Sequence, residues 1–479
     1  MRRSDGRRSE LFVPSVALGV ALGVAALLSA GPALAQPHTL QDALSAAYSN
    51  NPTLQAARAQ LRSTDEGVPQ ALAGWRPTIA VAGSLGYADG DIRQTGNGST
   101  SFTTTKRNAR DMFTGQATAT QPLYSGGATR AGTNQADNRV FAQRGRLLAT
   151  EQQVFTDTIN AYVNVIQTQQ LLQLNTNNET VLARQLQATN DRFRVGEITR
   201  TDVAQAEAAL AGARATRQTS EGNLATARAT YRRLVGEIPD QLIEPQPLKL
   251  PVKNQAEVNQ LAASNNPSVI AALFDDAAAK DSIDLAFSAL MPQVSVQAQA
   301  ARQDNSFVYG QRTIGGQVLL NASVPIYQGG AEYSKVRQAR QVEQQARKVV
   351  EDVRRQAIQQ ATAAWETLVA TRATIDSTRA AIRANQIALE GTQREAIVGS
   401  RTTLDVLNAE QTLLNSRVTL VQNLASLVTN SYQVAAAIGR LTARDLALNV
   451  PLYDETAYYN AVRQKLFGVG DYATRQPGR

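Results

Sequence analysis

A catalytic reading needs a nucleophile, a general acid or base, or a set of metal ligands, and this chain of 479 residues offers few. It has no cysteine and one histidine, His38. H-E-x-x-H, G-x-S-x-G and the phosphate-cradling P-loop are all absent. Catalysis would rest on carboxylates alone, and none sits in a constellation with an assignable acid, base or nucleophile. The ionisable residues that do recur at fixed spacing belong to a phrase written twice. "RVGEITRTDVAQAEAAL" begins at Arg194 and "IVGSRTTLDVLNAEQTL" at Ile397. Val195 and Val398, Gly196 and Gly399, Asp202 and Asp405, and Glu207 and Glu410 each stand 203 residues apart. A duplicated carboxylate points to a duplicated architecture, so the elements that carry it come next.

The match extends in both directions. "SNNPTLQAA" from Ser49 pairs with "SNNPSVIAA" from Ser264, and "RPTIAV" from Arg76 with "MPQVSV" from Met291, at an offset of 215. "QPLYSGGA" from Gln121 meets "VPIYQGGA" from Val324 at 203, and that offset holds to Gly236 and Gly439. The chain is therefore two tandem repeats, residues 36–253 and 254–451, followed by a tail at 452–479. The change of offset leaves twelve extra residues in the first copy, within "ADGDIRQTGNGSTSFTTTKRNARD", whose composition predicts a solvent-facing loop. Pro239, Pro245, Pro247 and Pro251 punctuate the connector between the copies.

Each copy contains one hairpin, over 78–122 and 293–325. Ile79, Val81, Leu85 and Tyr87 alternate with Thr78, Ala80, Ser84 and Gly86, and the period of two recurs in Val294, Val296 and Ala298 against Ser295, Gln297 and Gln299. Long helices are expected over about 128–194 and about 331–396, where Pro is absent and Gly scarce. Some 66 residues at 1.5 Å each make a rod of roughly 100 Å. Shorter helical stretches run over Leu40–Leu72, Val203–Leu234, Val258–Leu290 and Leu404–Leu441. The doubled phrases fall at the reversals, where Val-Gly stops the long helix and a threonine can cap the next.

Residues 1–35 read as a secretory signal peptide: Arg2, Arg3, Arg7 and Arg8, an apolar stretch from Leu11 to Leu28, then Ala33-Leu34-Ala35. The absence of cysteine excludes a disulfide framework, thiol chemistry and a lipid-modified N-terminal cysteine. The formal charge of +8 is spread through helical faces without a recognition motif, which argues against a nucleic-acid partner. In an exported chain, hairpins with one apolar face and one uncharged polar face fit strands with lipid on one side and water on the other. Four strands close no barrel, and open edges in a bilayer leave backbone groups unpaired, so protomers must pool their strands. The fold class expected is mainly α with a membrane β-barrel contribution, each repeat running helix, β-hairpin, long helix, helix.

The duplicated unit, the "QPLYSGG" and "VPIYQGG" strand exits and the paired "VGEITRTDV" and "VGSRTTLDV" phrases resemble the TolC-type outer-membrane channels of efflux pumps and type I secretion systems, from about His38 to about Pro451. The resemblance implies a homotrimer in outer-membrane lipid, with twelve strands in a barrel continued by an α-helical periplasmic tunnel. It implies a periplasmic adaptor protein and an inner-membrane transporter as partners, and no cofactor or metal. Carried over by position, Val195, Gly196, Val398 and Gly399 are adaptor-contact residues at the tunnel tip. Arg401 and Asp202 resemble a gate latch, and Asp405 and Asn408 the constriction of the pore. Two departures stand out: Ala396 occupies the place of a latch tyrosine, and Asn408 that of a second acidic ring. The rival reading is a periplasmic adaptor, which should carry compact β domains beside a single helical hairpin rather than two equivalent halves. The cargo, whether drugs, proteins or polysaccharides, is not written in the chain.

Overall fold

The computed structural model describes residues 39–96, 102–239, 241–306, 309–470 and 472. The chain divides into two units, Met1–Gln36 and Pro37–Arg479, and the architecture below is that of the second. The expected export signal lies outside the described residues.

In chain order the elements are α1 (Leu40–Asn50), α2 (Pro52–Asp65), α3 (Gly67–Leu72), β1 (Thr78–Ala88), β2 (Asp91–Gly96), β3 (Phe102–Arg107), β4 (Arg110–Ser125), α4 (Ala128–Arg194) and α5 (Arg200–Val235). The second half follows with α6 (Gln255–Asn265), α7 (Pro267–Ser288), β5 (Gln293–Asp304), β6 (Arg312–Ser323), α8 (Ala331–Ile397), α9 (Thr403–Ala437) and α10 (Ala457–Arg463). At 67 residues each, α4 and α8 extend about 100 Å. Both start directly after a glycine pair with positive φ, Gly126-Gly127 and Gly329-Gly330, which turns the chain from strand into helix. Gly126 also has no room for a side chain: a Cβ there would lie 2.5 Å from the Ser288 carbonyl oxygen.

The stretches expected as single helices over Leu40–Leu72 and Val258–Leu290 are each broken at an Asn-Pro step. Asn51 and Asn266 hold extended backbone while Pro52 and Pro267 open the next helix, where a missing N–H costs nothing. Each asparagine then joins two helices. Its Oδ1 accepts from the N–H two residues on, at 2.9 Å from Thr53 and 2.9 Å from Ser268. Its Nδ2 donates to the last turn of a different helix, at 3.1 Å to the Leu234 carbonyl of α5 and 3.2 Å to the Ala437 carbonyl of α9. One side chain thus satisfies an orphan donor and an orphan acceptor at facing helix ends. The result is two stacked columns, α5 into α2 and α9 into α7. Gly439 closes the second with φ +78°, and a Cβ there would sit 2.3 Å from the Asn265 carbonyl oxygen.

The helices form one layer. The α5–α2 column packs on α4, α4 on the α9–α7 column, and that column on α8. Polar staples fix long against short helices at equivalent levels of the two copies, with the partners exchanged: Asn175 donates to Ser220 at 2.8 Å, and Asn423 to Thr378 at 3.2 Å. A hydrophobic cluster gathers α1, α2, α4 and α5 around Leu44, Phe155, Tyr162 and Tyr231. Buried Arg58 lies over the rings of Tyr48 and Tyr453, 4.5 and 5.2 Å from their centroids, so its charge meets aromatic faces. The tail, for which the sequence showed no equivalent, docks on this belt. Tyr453 donates its N–H to the Tyr48 hydroxyl, Tyr458 its hydroxyl to Glu66, and Tyr459 its hydroxyl to Asp137.

The main sheet is antiparallel in the order β1-β4-β5-β6. Its register places Ile79, Ala119, Ala298 and Val318 in one row and Val81, Ala117, Ala300 and Gly316 in the next, all on one face. The opposite face carries the rows Ser84, Thr114, Gln303, Thr313 and Ala80, Thr118, Gln299, Gln317. The stretch expected as a loop over residues 88–111 is a second hairpin in part, because β2 and β3 pair antiparallel across it. The threonine run before Lys106 suits a pleated strand better than the Gly and Asn around it suggested. At its base Arg110 donates to the carbonyls of Asn305 at 2.8 Å and Ser306 at 3.0 Å, tying it to the β5–β6 turn.

Candidate functional site: the paired helical turns and the sheet

Both reversals are built alike. After α4, Gly196 takes φ +78°, with its N–H on the Phe193 carbonyl at 3.0 Å and the Glu197 N–H on the Arg192 carbonyl at 3.0 Å. After α8, Gly399 takes φ +80° and the Ser400 N–H reaches the Glu395 carbonyl at 3.0 Å. This left-handed stop is why the phrase needs glycine. Within the protomer nothing lies within 4 Å of a Cβ at either position, so backbone geometry alone demands glycine there. The flanking valines point outward: Val195 and Val398 are each 78% exposed.

The next helices begin at Thr199 and Thr402 with complete capping boxes, and the reciprocal partners are the two repeated aspartates. Asp202 accepts from the Thr199 hydroxyl at 2.7 Å and N–H at 3.0 Å. Asp405 accepts from the Thr402 N–H at 2.9 Å and hydroxyl at 2.8 Å. The Thr199 hydroxyl, then its N–H, hold the Asp202 carboxyl below the ordinary range. The Thr402 N–H, then its hydroxyl, do the same for Asp405. Both remain ionised at neutral pH, each with one oxygen engaged by its cap.

The structure does not join Asp202 to Arg401 within the protomer. Arg401 pairs with Glu395 at 2.9 Å, which raises the guanidinium pKa further. Asn408 is exposed one helical turn beyond Asp405, and Ala396, which stands where the resemblance gives a latch tyrosine, is buried among Leu389, Val406 and Leu413. The repeated glutamates diverge: Glu207 is exposed, whereas burial raises the Glu410 carboxyl pKa, opposed by a hydrogen bond from Gln393 at 3.2 Å. Sequence reading missed that Asp202 and Asp405 are cap residues. The T-x-x-D spacing of Thr199 and Thr402 carried that signal.

The sheet has two unlike faces. Ile79, Val81, Leu85, Ile314 and Val318 are exposed on one face, more than 65% in each case. On the other, Gln317 donates to Gln299 at 2.8 Å, and the Ser84 and Thr114 hydroxyls share a hydrogen bond of 2.6 Å. Exposed Ile, Val and Leu on one face and hydrogen-bonded Gln, Ser and Thr pairs on the other are a strand pattern for lipid and water. No helix among the described residues is long and apolar enough to cross a membrane.

Comparison with known proteins decides the family. The model of the outer membrane efflux protein family matches residues 43–237 and 258–440. The chain belongs to that family. The outer membrane efflux protein BepC of Brucella suis is 34% identical over 455 residues, spanning 94% of this chain and 96% of that protein. TolC of Escherichia coli is 26% identical, over 88% of this chain and 86% of TolC. Among solved structures, the Campylobacter jejuni CmeC outer membrane channel superposes with a TM-score of 0.73 at 16% identity, covering 91% of this chain and 90% of CmeC. Between the two matched segments lie residues 238–257, which hold Pro239, Pro245, Pro247 and Pro251. This family member is thus an outer-membrane efflux channel extending into the periplasm, and the adaptor reading falls away.

Proposed function

We propose that three copies close one twelve-stranded barrel, continued by a helical tunnel, and form a passive exit duct without catalysis of its own. The observation that carries this is the pair of open sheet edges. β1 and β6 end the sheet on either side, and nearly every residue of both is exposed. Unpaired edge groups in hydrocarbon cost several kcal/mol each, and β6 of one copy against β1 of the next removes that cost around a closed ring. Three protomers of four strands satisfy the minimum of about eight for a barrel and leave a passage.

At the far end the six turns of a trimer surround one aperture. Val195, Gly196, Val398 and Gly399 offer a periplasmic adaptor an exposed apolar tip, and an inner-membrane transporter drives cargo through the joined duct. Asp405 and Asn408 face the axis, where a ring of carboxylates focuses negative potential and attracts cations. Arg401 and Asp202 latch neighbouring helices between copies, and opening trades those links for adaptor contacts. Residues 1–35 direct export and are removed. The test is conductance of the purified protein in planar bilayers, with and without a trivalent cation. Arg401→Ala should enlarge or lengthen openings and Asp405→Ala should abolish cation block. A wild type that forms no pore would end the proposal.

A further inference from the structure

We propose that the cavity where α9 passes into α7 is a weak binding site within the duct for neutral, hydroxyl-rich solutes such as short oligosaccharides; this rests on the channel reading above. The cavity has a volume of about 450 Å³ and lies across the column, with α4 on one side and α8 on the other. That is the size of small-molecule sites, about 300–1,000 Å³. Its polar lining is amide and hydroxyl: Gln152 and Thr156 from α4, Gln359, Gln360 and Thr367 from α8, and Gln433 from α9 are the groups that matter here. Among the described residues no charged side chain lines it.

Three observations point to a ligand of this class. Gln152 is 6% exposed, and its Nε2 has no hydrogen-bond partner among the described residues. A buried amide donor left open in a cavity wall is satisfied by an incoming acceptor. The cavity borders the apolar cluster of Ala361, Leu368, Val434 and Ile438 and shares Ala364 and Ala437 with its edge, so a packed apolar floor backs the polar lining; in the channel reading that lining faces the duct. Each glutamine offers a donor and an acceptor, as each sugar hydroxyl does, so the wall can exchange hydrogen bonds with a polyol in many orientations. An ion entering it would lose hydration without gaining a counter-charge. With no aromatic side chain among the described lining residues to stack on a sugar ring, binding stays weak, which a duct requires if cargo is to leave.

The experiment is single-channel recording of the full chain in planar bilayers with maltotriose as the probe. Wild type should show brief, concentration-dependent blockades. Gln360→Leu combined with Gln433→Leu, both exposed, should lower site occupancy about tenfold, and Gln152→Leu should shorten the blockades. Gln299→Leu, in the sheet, should leave them unchanged. Blockades of equal length in the double variant, or equal loss in Gln299→Leu, would overturn the site while leaving the channel intact. Absence of any conductance in wild type would instead bring down the channel reading and the site with it.

Discussion

Asn51 allows the helix-stacking joint to be tested with numbers. Replacing it with alanine removes two things: the cap on α2, worth about 1 kcal/mol, and the donor to the buried Leu234 carbonyl, whose loss costs about 1–3 kcal/mol. The sum of about 2–4 kcal/mol should raise local opening by about 30-fold to about 1,000-fold, since each 1.4 kcal/mol is a factor of ten. Hydrogen exchange read by mass spectrometry over residues 48–60 and 225–236 measures this directly. Asn51→Asp separates the two contributions, because it keeps the acceptor for the Thr53 N–H but sets a carboxylate against the Leu234 carbonyl. It should therefore lose protection at the end of α5 while its own cap persists. Asn254 is the control, a cap that accepts from the Glu257 N–H at 2.9 Å and joins no second helix, so Asn254→Ala should cost the cap alone. If Asn51→Asp exchanges like wild type, or Asn51→Ala no faster than Asn254→Ala, the joint contributes nothing.

Other consequences follow from single residues. Asp65 is fully buried with both carboxylate oxygens unpartnered among the described residues, and burial pushes its pKa up to about 7, against the attraction of Arg144. Its folded pKa lies above the unfolded one, so its contribution worsens as pH rises from about 4 to 7 and is worst above 7. Asp65→Asn should therefore raise the melting temperature at pH 8, and the gain should shrink as melts are repeated toward pH 4. Val318→Arg sets a charge on the apolar face and should cost about 2–4 kcal/mol of membrane stability, seen as loss of assembled protein from the outer membrane; Gln317→Arg, one residue away on the polar face, should assemble normally. Gly399→Ala forces φ +80° on a residue with a Cβ, at a cost of about 1 kcal/mol, so exchange should quicken at that turn and nowhere else.

Much of this architecture is legible because the chain states it twice. The constant offset between Gly196 and Gly399 reveals the reversals, and alternation in Ile79, Val81 and Leu85 gives the face of the sheet, since both signals are local and periodic. What stayed hidden depends on contacts distant in sequence. "SNNP" was readable as a repeat marker, but its bridging of two helices needed Leu234 and Ala437, some 170 to 180 residues further on. Asp202 and Asp405 were readable as repeated charges, whereas their commitment to Thr199 and Thr402 emerges once the helix start is fixed. The docking of Tyr453, Tyr458 and Tyr459 has no counterpart in the first copy, so no comparison between copies could expose it.

The central claim is that the open edges β1 and β6 meet between copies, and the cysteine-free chain allows a direct test. Ala82→Cys on β1 can be paired with Thr313→Cys, Gly315→Cys, Gln317→Cys or Leu319→Cys on the same face of β6. Oxidation in the membrane should link one or two adjacent positions of this series into a covalent trimer on a denaturing gel. No cross-linking at any position, or a ladder that stops at dimers, would contradict the shared barrel.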